Sequence, residues 1–409
     1  MTCPAVPTGG TPVVTLPFPR RPKYGAGERD AILALMNGGR LSETWRGPAT
    51  AALEDDVARL VSTRYALSFN SGTASLHAAL HAVGVDPDAG VVMSPMTWMS
   101  AITVAFHAGS FPVFGDIEPA STHLAAAALA AAAPRCSAAM VTHAWGIPAP
   151  MDALVGAADL PVVEDCSHAH GALYRSRPVG SWGAAGCFSF QEAKAVSGGE
   201  GGVMTTSDRG VYERALTVGH HPHRLAAELT HTDLLPLADA GALYKFRMPP
   251  LSAVIARHQL TSLPERMAAA EENLSTLLQL IVGQDLPVTA PALEPGSVRG
   301  WYGTPLIVTE PVADPEALHA ACSARGVPVR PPYPDWLTTP LLQQPNLLAR
   351  YWPHLRGQYR PPRREDFPNY YEARRQMLVI KVPDVPADDY MEQVGAALAA
   401  ALACTMPAA

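Results

Sequence analysis

Lys194 ends the run Phe188-Ser189-Phe190-Gln191-Glu192-Ala193-Lys194, and the glycine-rich stretch Gly198-Gly199-Glu200-Gly201-Gly202 follows it. One amine is thereby set on a short loop between two apolar segments, where it could attack a carbonyl carbon. Upstream, Val162-Val163-Glu164-Asp165 reads as a buried strand with an acid, Asp165, at its C-terminal end. Taken singly, the lysine is an ordinary solvated loop residue and the aspartate an ordinary helix cap. A third element changes that balance. Asn70-Ser71-Gly72-Thr73-Ala74-Ser75-Leu76 follows the apolar run Ala66-Leu67-Ser68-Phe69 and opens a helical pattern at Leu76, Ala79, Leu80 and Val83. First-turn N–H groups lack intrahelical partners and carry the positive end of the helix dipole, so a phosphate fits a strand, a glycine turn and a helix start, although the turn taken alone is as readily an ordinary N-cap. Gly72 lets the backbone come close, and the Ser71 and Thr73 hydroxyls can add donors.

An amine, a buried acid and a phosphate cradle are the parts that pyridoxal phosphate (PLP) needs. The acid keeps the ring nitrogen protonated, and the ring then withdraws electrons from the substrate carbon. With these elements in this order, the chain resembles the DegT/DnrJ/StrS family of PLP-dependent sugar and cyclitol aminotransferases. The resemblance runs from Gly38-Gly39-Arg40-Leu41-Ser42, through the Asn-Ser-Gly-Thr turn, to Asp366-Phe367-Pro368. It implies roles for individual residues. Trp98, in Pro95-Met96-Thr97-Trp98, stacks on the cofactor; Asp165, in Asp165-Cys166-Ser167-His168, meets the pyridine nitrogen, with His168 near the ring hydroxyl. Ser189 joins Ser71, Gly72 and Thr73 at the phosphate, and Lys194 is the Schiff-base lysine. Read without the family, Trp98 is as readily a core residue and His168 a satisfied buried histidine.

Many members of the family donate an asparagine across a dimer interface; here the matching segment is Leu243-Tyr244-Lys245-Phe246-Arg247-Met248, with Lys245 in that place. A lysine is a longer, charged donor that cannot accept a hydrogen bond as an amide can. The stretch Pro250-Leu251-Ser252-Ala253-Val254-Ile255-Ala256-Arg257-His258-Gln259-Leu260 looks like the branch that aminates keto-cyclitols such as scyllo-inosose using glutamine. The resemblance therefore implies ping-pong transamination from glutamine or glutamate to a keto-cyclitol or keto-sugar in antibiotic biosynthesis, by a homodimer with its site between subunits. Dehydration of a keto-sugar, which relatives perform with histidine in place of the lysine, action on a non-carbohydrate carbonyl, and a non-catalytic role are the alternatives.

The elements that must position these residues alternate. Apolar runs at 66–69, 91–93, 112–114, 138–141, 162–163 and 187–190 are separated by helical stretches, which implies an α/β fold with a mainly parallel sheet covered on both faces. Ligands of such sheets bind at the carboxyl ends of the strands, where Ser71, Trp98, Asp165 and Ser189 fall. At 409 residues two lobes are expected. Residues 1–250 are read as a large PLP-binding domain of fold type I, and 251–409 as a linking helix, over 251–281, with a small α+β domain. The helix of that domain starts at Pro315 with Asp314 as its cap. The proline-rich segment 327–336 cannot be helical and offers Arg330, Tyr333 and Trp336 to an acceptor.

Thirty basic against 37 acidic residues leave no broad basic surface for nucleic acid. Apolar segments are interrupted before membrane-spanning length, and Met1-Thr2-Cys3-Pro4-Ala5-Val6 is no signal peptide, so a cytoplasmic enzyme with small-molecule substrates is expected. Six cysteines, Cys3, Cys136, Cys166, Cys187, Cys322 and Cys404, lack metal-ligand spacing and read as reduced thiols. No metal is expected. The imidazole-rich Gly219-His220-His221-Pro222-His223 is read as a rim loop of the site, and the Ala/Leu run 124–133 as a closely packed helix.

Overall fold

The computed structural model describes residues 12–239 and 244–405; Cys3 and Leu243 lie outside them. Seven strands form the central sheet: β1 (Tyr65–Phe69), β2 (Gly90–Met93), β3 (Phe111–Phe114), β4 (Cys136–Thr142), β5 (Val162–Asp165), β6 (Ala185–Ser189) and β7 (Gly202–Thr206), in the order β1-β7-β6-β5-β4-β2-β3. Most are buried along their whole length, as continuous apolar runs require when both faces are covered. One face packs Leu76, Leu80, Ile102 and Phe106 against Met140 and Val163. The other packs Leu53, Val57, Met151 and Leu154 against Ala139 and Val141.

The sheet is parallel except at β7, which runs antiparallel to both β1 and β6. A parallel neighbour needs a crossover, usually a helix. Residues 190–201 contain none and turn back through Gly199 (φ +79°) and Gly201 (φ +150°) instead. That reversal carries Lys194. The register then gathers strand ends on one edge. Thr142 pairs with Asp165, Asp165 with Cys187, and Gly202 with both Ser189 and Phe69.

A second, antiparallel sheet has four strands, β8 (Val288–Thr289), β9 (Thr304–Val308), β10 (Val329–Arg330) and β11 (Met377–Ile380), ordered β8-β9-β11-β10. It buries Leu306, Val308, Leu378 and Ile380 under the helices Pro315–Ala324 and Asp388–Thr405. The first of these helices is capped as expected: Asp314 Oδ1 accepts from the Ala317 N–H at 2.9 Å.

Two sequence expectations change. The stretch 251–281 is two helices, Pro250–Thr261 and Leu263–Gly283. Pro264 has no N–H to return to the preceding turn, so the chain breaks at Ser262. The histidine segment is no rim loop. His220 is buried edge-on against Phe69, with ring centroids 5.3 Å apart, and His221 Nδ1 caps the helix Pro222–Glu228 by accepting from the His223 N–H at 3.2 Å. The Ala/Leu run forms the helix Ala126–Ala132. No helix among the described residues is long and apolar enough to cross a membrane.

Candidate active site

At the carboxyl edge of the central sheet lies a cavity of about 320 Å3. Its floor is the turn after β1. Ser71 adopts an extended conformation, and its Oγ accepts from the Ala74 N–H at 3.0 Å, capping the helix Gly72–Ala82. That bond uses the oxygen and leaves the hydroxyl proton to donate. Two glycines bring this turn against Ser189. A Cβ on Gly72 would stand 2.7 Å from Ser189 Cβ, and one on Gly202 would stand 2.4 Å from the Ser71 carbonyl oxygen. Neither position tolerates a side chain, and the space kept open is an N–H cradle rimmed by Ser71, Thr73 and Ser189. Ser71→Ala removes the cap and is expected to cost about 1 kcal/mol in urea unfolding; an unchanged midpoint would show that the cap carries no weight.

Lys194 and Asp165 face each other across the same cavity. Burial pushes the Lys194 amine down to about 8, against the pull of Asp165, which raises it. The Asp165 side chain is buried, and its Oδ1 accepts from the Ser167 N–H at 3.1 Å; among the described residues its other oxygen is uncommitted.

His168 closes one wall. Its ring stacks on Tyr302 at 3.7 Å and 8°, and its Nδ1 lies 2.7 Å from the Tyr333 hydroxyl. Burial, then the Lys194 charge, lowers its pKa well below the ordinary range, so it is neutral. Tyr333 in turn stacks on Trp145 at 4.2 Å and 11°. Trp145 holds a left-handed backbone (φ 53°), an unusual state for a bulky residue, and the next residue, Gly146, crosses so close to Gly300 that a Cβ would lie 2.4 Å from its carbonyl oxygen. The crossing sets the 300–302 segment, and with it Tyr302, whose ring centre is 4.3 Å from Lys194 Nζ.

Strand alternation turns Glu164 to the opposite face from Asp165. Its buried carboxylate accepts from the N–H groups of Gly180 (2.7 Å), Trp182 (2.7 Å) and Gly183 (2.8 Å) and pairs with His143 Nε2 (3.1 Å). His143 Nδ1 accepts from the Ala149 N–H at 3.0 Å, which assigns the ring proton to Nε2. These bonds pin the ends of β4 and β5 behind the cavity.

Residues 22–352 match the DegT/DnrJ/EryC1/StrS aminotransferase family. The chain belongs to that family. It is a PLP-dependent aminotransferase. Protein MosB of Rhizobium meliloti is 32% identical over 61% of this chain and 51% of its own length, so the match spans about half of that relative. An L-glutamine:2-deoxy-scyllo-inosose aminotransferase of Streptomyces lividus is 29% identical over 95% of each chain. The structure of an aminotransferase from Psychrobacter cryohalolentis superimposes with a TM-score of 0.83 at 24% identity, covering 96% of this chain and 100% of that one, and supports the fold.

The donor set of this aminotransferase fits PLP. It offers a cradle that two glycines keep open, a carboxylate with a free oxygen, and an amine that burial makes easy to neutralise. The sequence-expected Ser71, Gly72, Thr73, Trp98, Asp165, His168, Ser189 and Lys194 all line the one cavity. Trp98 is half exposed, edge-on to Trp336 at 5.2 Å, and so keeps a ring face free for stacking. Lys245 and Arg330 are exposed and do not line it. Tyr333 lines it, while Trp336 acts behind Trp98, donating Nε1–H to the Thr97 carbonyl at 2.9 Å. Tyr302, His143 and Thr142 also line the cavity and were not singled out as site residues from sequence. Their signals are single residues, given meaning only by the strand order and the Gly146–Gly300 crossing.

Proposed function

We propose that this aminotransferase moves the amino group of glutamine, or glutamate, onto the ring ketone of a cyclitol or sugar in aminocyclitol antibiotic biosynthesis in the cytoplasm. The observation that carries the reading is the neutral-leaning Lys194 amine placed with Asp165 and the Ser71–Ser189 cradle in one cavity. The full-length similarity to the Streptomyces lividus enzyme supports the donor and acceptor class.

PLP, when bound, supplies the electron sink for the substrate carbon. The first-turn N–H groups with Ser71, Thr73 and Ser189 would hold its phosphate, Asp165 would keep a proton on its ring nitrogen, and Trp98 would cover the ring. His168, fixed by Tyr333 and Tyr302, would meet the ring hydroxyl as a neutral imidazole. Lys194 Nζ takes the proton from the donor α-carbon and, in the second half of the cycle, delivers one to the former ketone carbon. A base poised near pH 8 suits both transfers. The exposed Lys245 reaches the site of a second subunit in a homodimer, where it meets the cofactor phosphate or substrate. Residues 1–250 form the cofactor-binding domain and 251–409 the linking helices and small domain.

Absorbance of the purified protein, recorded before and after glutamine and then glutamate, tests this reading. A visible cofactor band that shifts with one donor and returns on adding a keto-cyclitol is the expected result. No band after added PLP, or a band indifferent to both donors, would overturn it.

A further inference from the structure

Lys194 and Tyr302 are a wall shared by two cavities. A second cavity of about 330 Å3, lined by none of the cradle residues, is bounded by the N-terminal segment 18–23, the helix Leu263–Gly283 and the residues that follow β11. Its charge is one-sided. Arg20, Arg21, Lys23, Arg266 and Lys381 line it together with Lys194, and Asp384 is the only acid among the lining residues. Arg266 Nε already holds that acid at 2.6 Å. Lys23 has only the distant, exposed Glu192 at 3.5 Å. Arg20, Arg21 and Lys381 have no ion pair among the described residues; instead Lys381 Nζ and the Arg20 guanidinium both rest by the Phe18 ring, at 4.9 and 5.7 Å. Burial, then Arg330 and Arg20, depresses the Lys381 pKa against the pull of Asp384, so the cations around it outweigh the one acid that lines the chamber. An independent observation points the same way. Thr304, 2% exposed at the start of β9, lines this cavity, and its Oγ1 is buried with no hydrogen-bond partner. A buried hydroxyl left unpaired inside a cationic chamber calls for an acceptor.

We infer that this chamber binds a small oxyanion carried by a substrate, a carboxylate or a phosphate, with Lys381, Arg20 and the Thr304 hydroxyl as its donors. The inference rests on the proposed transamination for its meaning, because each substrate must bring its reacting atom to Lys194. The cofactor phosphate does not account for these cations, since none of the cradle residues Ser71, Gly72, Thr73 and Ser189 lines this chamber and none of the cations but Lys194 lines the cradle cavity. A donor amino acid places a carboxylate one bond from the reacting carbon. A phosphorylated acceptor would place a phosphate several bonds away, and both are met by charge-assisted hydrogen bonds from Lys and Arg.

The test is calorimetric titration of the cofactor-loaded protein, its phosphate cradle thus filled, with glutarate in one arm and inorganic phosphate in the other. Glutarate has neither an amino nor a keto group and cannot react. Lys381→Met keeps the aliphatic stem against Phe18, and Arg20→Gln alters an exposed side chain. Either variant should weaken the bound anion about tenfold or more, with thermal midpoints unchanged or raised, since each removes one positive charge from a cluster in which cations outnumber the single acid. A loss confined to glutarate assigns the chamber to the donor carboxylate and its 2-oxo acid product; a loss confined to phosphate assigns it to a phosphorylated acceptor. Affinities equal in wild type and both variants, or no binding of either anion at millimolar concentration, would overturn the inference. Glutarate titration of cofactor-free protein keeps the result separate from the proposed function, which stands or falls on the absorbance experiment.

Discussion

Lys194→Ala is expected to lower multiple-turnover transamination by on the order of 10^4-fold, because one side chain supplies both the nucleophile and the proton-transfer base. Its amine shares the cavity with Asp165 and lies 4.3 Å from the Tyr302 ring centre, and burial has brought its pKa to about 8, so a neutral fraction exists near physiological pH. Lys194→Arg keeps the charge but has no neutral form at any working pH, and should be equally inactive. That pair of variants separates the base from mere charge. Removing a desolvated amine should leave the unfolding midpoint unchanged or higher, so lost activity will not be lost fold. Turnover above about one per cent of wild type in either variant, in an assay of glutamine with a keto-cyclitol, would remove Lys194 from the mechanism.

What the sequence made legible is local. Ser71, Gly72 and Thr73 form a turn read directly from an apolar run, a glycine and a helical period, and Asp165 and Ser189 end their own strands. Lys194 follows from the run to which it belongs. Tyr333 was offered by the proline-rich segment but its partner Trp145 was not, and Tyr302, by contrast, comes to the cavity only through the Gly146–Gly300 crossing; both are contacts between segments far apart in sequence. Period and turn chemistry carry no such information. Glu164 is hidden for another reason: its neighbour Asp165 points into the cavity, and only the strand's two-residue alternation reveals that Glu164 serves the loop 180–183 on the other face. The histidine segment failed because three imidazoles within four residues look alike, yet His220 and His221 have separate tasks in packing and capping.

The stability of the phosphate turn should depend on a residue remote from it in sequence, Arg224. Glu54 is fully buried on the helix Pro48–Val61 and accepts from both Arg224 terminal nitrogens at 2.9 and 2.8 Å, from Arg46 Nε at 2.9 Å, and from the Ser68 N–H and hydroxyl at 2.9 and 2.8 Å. Ser68 lies on β1, just before the turn that starts at Asn70. Burial alone would raise the Glu54 pKa, but the Arg224 charge and its hydrogen bonds outweigh it and hold the carboxyl at about 2, below its ordinary 4.5. A shift of that size corresponds to roughly 3 kcal/mol. Arg224→Met strands the carboxylate and is expected to cost about 3–5 kcal/mol in urea unfolding at pH 7. The sign with pH follows from the depressed folded-state value. Wild type keeps the contribution above pH 4.5 and loses it as the pH falls from 4.5 towards 2. In Arg224→Met burial is less opposed, so Glu54 protonates earlier and that loss is largely absent. The stability gap between the two proteins should therefore narrow as the pH drops below 4.5. A gap that stayed constant from pH 7 to pH 3 would mean that the Arg224–Glu54 charge pair is not what holds β1, and with it the Ser71 cradle, in place.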